Sequence, residues 1–201
     1  MSATVKFAAR QGGFTLLEVL VSLVILVLGV LGLIGLQAFT QISTFESYQR
    51  GQALILAQDM ADRIATNRGA ALCYNFTTNA ATGTPFAGMP ATNATPTCTA
   101  SVGTAATRAV ADLDLAAWDA ALKGAAEQTG GAQVGGLLGA RGCVTYDGTT
   151  NSYRVGVSWQ GMAATVAPTA ADAGATCALN QYGPEAQRRQ VSIVVRIANL
   201  N

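Results

Sequence analysis

The sequence predicts an α+β protein with one long N-terminal helix, apolar in its first half and amphipathic in its second, packed on a small C-terminal antiparallel sheet. Two patterns predict it. From residue 14 to residue 39 the only charge is Glu18 and the only other polar residues are Thr15, Ser22 and Gln37. Apolar residues then recur at three- or four-residue steps as far as Ile64, the period of a helix with one covered face. Near the other end Val155, Val157 and Trp159 alternate along one segment, and Val191, Ile193, Val195 and Ile197 along another, the period of a half-buried strand. Composition excludes much else. Of 201 residues 50% are hydrophobic and 11% charged, unlike a disordered acidic tail. Twelve basic and 11 acidic residues leave a net charge of +1, no basic footprint for duplex nucleic acid. With no His, the usual general base, the commonest zinc ligand and every Ser-His or Cys-His pair are gone.

Residues 1–13 carry Lys6 and Arg10 and no acid. The positive-inside rule then keeps this end in the cytoplasm and sends the chain from Gln37 onward to the other side. Residues 14–36 number 23, roughly 34 Å of helix, enough for a hydrocarbon layer about 30 Å thick. A cleaved secretory signal fits less well, because this apolar core exceeds the usual ~7–15 residues and residues 29–37 offer no small-x-small site. Glu18 is the odd residue, since a carboxylate in hydrocarbon costs at least about 2.5 kcal/mol and calls for a partner. Beyond the apolar run, Phe39, Ile42, Phe45, Ala53, Leu56, Met60 and Ile64 continue a stripe with one gap near Gln49. Taken together, residues 14–66 form one element of 53 residues, roughly 80 Å long. Gly29, Gly32 and Gly35 each cost about 1 kcal/mol relative to Ala, which makes this the weakest stretch and the expected place of a bend. Their spacing of three is not a GxxxG face.

From residue 70 to residue 107 the periodicity fails, and Pro85, Pro90, Pro96 and many Thr mark a long connection that carries Cys73 and Cys98. A short helix follows through Leu115, Trp118, Ala121 and Leu122, with Asp112 or Asp114 as its cap and Gly124 or Gly130-Gly131 as its end. Strands are expected at 142–146, 153–159 and 190–197, with Asp147-Gly148 as a turn signal. The outer half of the long helix is the obvious cover for their apolar face. Four cysteines without CxxC spacing or His point to disulfides in an oxidising compartment rather than to a metal. Three connectivities are open; the expected one joins Cys73 to Cys98, closing the irregular loop, and Cys143 to Cys177, tying the first strand to the loop before the last.

The stretch Gly12-Gly13-Phe14-Thr15-Leu16-Leu17-Glu18-Val19-Leu20 resembles the type III signal of type IV pilins and of type II secretion pseudopilins. The resemblance implies a leader cut after Gly13, N-methylation of Phe14 by the same prepilin peptidase, and a Glu18 that pairs with the N-terminal amine of a neighbouring subunit and sets its register. Two further regions are similar to PilV-type minor pilins, also called type IV pilus modification proteins. These are residues 53–67, which close the long helix, and the pattern of residues 154–161, Cys177 and 188–193. Residues 75–108 and 162–176 match nothing in that group. The implied organisation is pilin-like: leader 1–13, transmembrane helix half 14–36, amphipathic half 37–67 and a disulfide-stapled extracytoplasmic head 68–201. The implied function is a minor pilin of the priming or tip complex, supporting pilus assembly and hence adhesion or twitching motility. It would be held single-pass in the bacterial inner membrane and reach the cell surface in the pilus. Its expected partners are the prepilin peptidase, other minor and major pilins, the inner-membrane assembly platform and membrane lipid, with no cofactor and no enzymatic activity. A pseudopilin of a type II secretion system is the alternative, and a DNA-uptake pilin a further one.

The remaining polar residues have ordinary readings. Asp112, Asp114 and Asp119 suggest calcium less well than capping and solvated charge. Arg188-Arg189 and Arg196 fit edge protection or subunit contacts better than DNA. Trp118 and Trp159 read as core. Gly130-Gly131 and Gly135-Gly136 lack the P-loop ending, and Asn75-Phe76-Thr77 and Asn93-Ala94-Thr95 match the short glycosylation pattern.

Overall fold

A computed structural model describes residues 12–90, 97–99, 101–125, 128–129, 132–133, 136–169, 174 and 176–198. The leader charges Lys6 and Arg10, Pro96, the Gly130-Gly131 pair, Gly135 and the Asn93-Ala94-Thr95 triplet lie outside them. The chain divides into two units between Thr44 and Phe45.

In the first unit helix α1, Leu16–Thr66, begins. Every described residue from 12 to 44 is exposed, and the helix continues through Gly29, Gly32 and Gly35 without interruption. Its few hydroxyls are satisfied by the helix itself: Ser22, Thr40 and Thr44 donate to the carbonyls of Val19, Gln37 and Thr40, each at 2.8 Å. An apolar helix in lipid needs that arrangement, because no water is present to replace those partners.

In the second unit α1 buries Gln49, Ala53, Ala57, Met60, Ala61 and Ile64. The buried stripe therefore starts at Gln49, which fills the apparent gap, and Phe39, Ile42 and Phe45 are exposed rather than part of it. A 3-10 helix, Arg68–Tyr74, follows, and a cluster of side chains locks it. Arg63 pairs with Asp59 at 3.0 Å and Asp114 at 2.8 Å, Tyr74 donates to Asp114 at 2.5 Å, and Asn67 donates to the Thr107 carbonyl.

Within the segment read as a loop, strand β1, Ala87–Gly88, forms, and helix α2 runs over Ala105–Leu122. Thr104, not Asp112 or Asp114, caps α2. Its hydroxyl accepts from the Thr107 N–H, and Thr107 answers with the reciprocal bond. The acids lie in the helix interior and hold the irregular chain instead. Asp112 accepts from the Cys98 N–H at 2.7 Å. Asp119 accepts from the Gly88 N–H at 2.7 Å and pairs with Lys123 at 2.5 Å.

After a two-stranded ribbon, β2 (Gln128–Thr129) with β3 (Ala132–Gln133), come β4 (Arg141–Asp147), β5 (Ser152–Gln160) and β6 (Arg188–Arg196). The main sheet is antiparallel with order β1-β4-β5-β6. Residues 148–151 connect β4 to β5, and the Asp147 carboxylate accepts from the Thr149 N–H and the Thr150 hydroxyl. The outer edge of β4 is closed by residues 75–77. Thr77 N–H donates to the Val144 carbonyl at 3.0 Å, Val144 N–H to the Thr77 hydroxyl at 3.1 Å, and Tyr146 N–H to the Asn75 amide oxygen at 3.1 Å. Asn75 thus serves as a strand substitute through its amide oxygen.

Strand alternation gives the sheet two covered faces. On one, Val144, Tyr153, Val155, Val157, Trp159 and Val191 join the core with α1 and α2. On the other, Cys143 meets Phe86, Cys177, Ala178 and Tyr182 beneath the segment before β6. Cys143 is bonded to Cys177, and Cys73 to Cys98. Arg141 lies between the rings of Phe86 and Tyr182, 5.2 and 4.3 Å from their centroids, and the Tyr182 hydroxyl shares its proton between the carbonyls of Gly139 and Ser158 at 2.8 and 2.9 Å.

Burial pushes the Tyr182 phenol up to about 12, partly countered by Arg141, and burial likewise pushes Tyr153 up to about 12. The unfolded chain releases these protons near pH 10. Their contribution to stability is therefore complete below about pH 10 and is lost as the pH rises to about 12. An alkaline titration is expected to show phenolate absorbance and loss of near-ultraviolet dichroism rising together in that window. Ionisation of all five tyrosines near pH 10 without unfolding would contradict it.

Candidate functional site

The chain enters α1 through Gly12, Gly13, Phe14 and Thr15, which are not helical. Thr15 sets the start: its hydroxyl accepts from the Glu18 N–H at 3.3 Å and its carbonyl from the same N–H at 3.0 Å. Thr15-Leu16-Leu17-Glu18 has the T-x-x-E form of a capping box, a signal readable in the sequence that the membrane pattern around it obscured. Phe14 is 84% exposed. A Cβ built on Gly13 meets nothing within 4 Å, so the chain's own packing does not require glycine there. Glu18 is exposed in the first turn of α1, where the helix dipole favours an anion. Among the described residues its carboxylate has no ion pair. From Leu16 on, α1 is long and apolar enough to cross a membrane.

The arrangement therefore presents three things together: a non-helical, unobstructed peptide at Gly13 and Phe14, a capped helix immediately after it, and one carboxylate on an otherwise apolar surface.

The other sequence candidates belong to the second unit, and most have a structural partner. Asp112, Asp114 and Asp119 hold three separate backbone or side-chain groups and do not converge. No cluster of three or more metal-ligating side chains occurs among the described residues. Arg188 and Arg189 are turned to opposite faces by the strand period, which corrects their reading as edge charges. Arg188 is fully buried, paired with Glu185 at 2.6 Å and donating to the Cys177 carbonyl and Gln190. Arg189 reaches Glu46 of α1 at 3.1 Å. Gly161 leaves it the room, because a Cβ there would sit 2.7 Å from the guanidinium carbon. Of these three arginines, Arg196 is the one that is exposed with no ion pair among the described residues. Trp118 and Trp159 are core.

Residues 8–34 match the family model of the prokaryotic N-terminal methylation motif. No curated protein and no solved structure matches the chain. The motif implies processing by a prepilin peptidase and assembly with other pilins, and with the apolar helix it fits a single-pass, membrane-anchored protein. A type IV prepilin-like signal on a long apolar helix, followed by a small antiparallel sheet, supports a pilin or pseudopilin, a structural rather than a catalytic protein.

Proposed function

We propose that the chain is a minor pilin of a type IV pilus, of the PilV type, acting in the priming or tip complex and so in adhesion or twitching motility. The observation that carries this reading is the N-terminal arrangement: an accessible Gly13-Phe14 bond, a helix capped by Thr15, and Glu18 unpaired among the described residues on an apolar helix. Cleavage after Gly13 removes the basic leader and leaves an amine on Phe14. Residues 14–36 then sit in the inner membrane with the head outside, and Glu18 takes the amine of a neighbouring Phe14 when helices bundle. A buried carboxylate and a buried ammonium each cost several kcal/mol alone, and pairing offsets much of that cost at one axial register only. The segments similar to PilV-type proteins are scaffold: residues 53–67 carry most of the buried face of α1, and 154–161 and 188–193 cover most of β5 and two thirds of β6.

The test is the mass and N-terminal sequence of the protein from membranes of its own organism. A chain beginning with N-methylated Phe14 is expected, and Gly13→Ala, which disturbs no internal contact, is expected to retain the leader. A native chain still beginning at Met1, or cut beyond residue 36, overturns the proposal. Recovery of the processed protein from a secretion pseudopilus instead of sheared pili assigns the secretory alternative.

A further inference from the structure

We propose that the outer face of α2 is an interface with a second copy of this chain, the two helices packing antiparallel about a two-fold axis at Leu113. Ala106, Ala109, Val110, Leu113, Ala116 and Ala117 recur at steps of three and four and form one stripe of the helix, with Ala120 at its end. All but Ala120, which is half-buried, are exposed, Val110 at 47% and Leu113 at 71%. A helix facing water ordinarily turns charged and polar side chains there. This stripe has none.

The charges of α2 are all engaged within the head. Arg108 donates to the Val102 and Gly103 carbonyls at 3.2 and 3.3 Å, and Asp112 accepts from the Cys98 N–H. Asp114 holds Arg63 and Tyr74, and Asp119 holds the Gly88 N–H and Lys123. The stripe therefore offers nothing to a charged partner and suits another uncharged helix.

The order of residues along it names that helix. Counting outward from Leu113, the positions three away are Val110 and Ala116, those four away Ala109 and Ala117, and those seven away Ala106 and Ala120. A two-fold axis at Leu113 sets each residue before it against the one equally far after it, the self-matching that an isologous contact requires. Leu113 then meets its own copy, every other position meets a small apolar side chain, and no like charges are opposed. The alanines let the backbones approach at the short end of the usual spacing of about 8–10 Å. As a helix of 18 residues, α2 offers a strip about 27 Å long and about 10 Å wide. That is well short of the roughly 800 Å² per partner of an independent complex. So small a contact fits copies that something else already gathers. The membrane helix proposed above does this, and to that extent the inference rests on that reading.

The test is oxidative cross-linking of single added cysteines in the full chain, in membranes of its own organism. The native cysteines are bonded to each other, so the added thiol is the free one. Packed helices hold the two Cα atoms of the axis residue about 4–6 Å apart, within disulfide range, and Leu113→Cys is expected to give a covalent dimer. Ala106→Cys is expected not to link to itself, because its two copies lie about 21 Å apart along the seam, whereas co-expressed Ala106→Cys and Ala120→Cys chains link to each other. Leu113→Glu, which sets two carboxylates on the axis, is expected to cut that mixed product about tenfold or more. Thr149→Cys, exposed between β4 and β5, is the control for chance collision. No Leu113→Cys dimer from chains that remain in the membrane fraction overturns the inference and leaves the membrane placement standing. Yields no greater than those of Thr149→Cys, or self-linked Ala106→Cys, also overturn it. A Leu113→Cys thiol that neither links nor reacts with a water-soluble maleimide assigns the face to a different partner and overturns it as well. Recovery of the chain from the soluble fraction overturns the membrane placement instead.

Discussion

Trp118→Ala is expected to cost the head about 3–5 kcal/mol, the usual loss for a large aromatic removed from a core. The stability of a domain of this kind is only about 5–15 kcal/mol. Trp118 is fully buried, meets Phe76 edge-on at 6.5 Å between centroids, and donates its indole N–H to the Leu56 carbonyl of α1 at 2.8 Å. One side chain thus ties α2 to both α1 and the sheet. The sheet makes room for it at Gly142, where a Cβ would come 2.2 Å from Cη2 and 2.6 Å from Cζ3 of the indole. Gly142→Ala is therefore also destabilising in the native background, since β4 backbone and a locked ring must separate. With Trp118→Leu the ring tip is gone and the alanine still meets Leu122 Cδ1, 2.7 Å away but at the end of a flexible side chain, so the clash is partly relieved and the two substitutions couple. Urea unfolding of the full chain in detergent, followed by far-ultraviolet dichroism, measures all four corners of that cycle. A Trp118→Ala cost below about 1 kcal/mol, or strict additivity of the pair, would show that the indole is not the keystone of this core.

The parts of the fold that follow a period were legible. Residues 153–159 and 191–197 alternate, and β5 and β6 contain most of both stretches; the long apolar run became α1. Where a local rule competed with a distant contact, the sequence misled. The apolar stripe on α1 reads from Phe39 with a gap near Gln49, yet burial begins at Gln49 itself, a polar residue that no hydrophobic period selects. Asp112 and Asp114 resemble caps because Asp is a good one. The helix in fact begins at Ala105 behind Thr104, whose partner Thr107 lacks the usual Glu or Gln signal. Adjacent arginines at 188 and 189 suggested a charged edge, whereas the strand period divides them between the two faces. The Glu46 partner of Arg189 lies 143 positions away in the chain, beyond any spacing rule. At the N-terminus the motif of residues 12–20 was plain, while the cap that Thr15 supplies was hidden inside it.

Glu18→Ala is expected to leave the protein processed and inserted while removing it from filaments, a loss of at least about tenfold from sheared pili, given the several kcal/mol at stake when one partner of a buried pair is deleted. Two effects of the carboxylate are separable here. The start of α1 rests on the Thr15 hydroxyl and carbonyl accepting the residue 18 backbone N–H, and alanine keeps that N–H, so the helix and the non-helical Gly13-Phe14 peptide persist. Insertion itself becomes easier by about 2.5 kcal/mol, because a carboxylate no longer enters hydrocarbon. A defect confined to assembly therefore reports the lost charge and not a damaged precursor. Glu18→Gln sharpens the comparison: it restores size and hydrogen bonding without charge, and is expected to assemble as poorly as alanine. Immunoblots of membrane and sheared fractions, with the mature N-terminus checked by mass, read each variant. Normal Glu18→Ala levels in the sheared fraction would mean that subunits find their register without a carboxylate, and the only charge on this helix between residues 14 and 39 would then have no part in assembly.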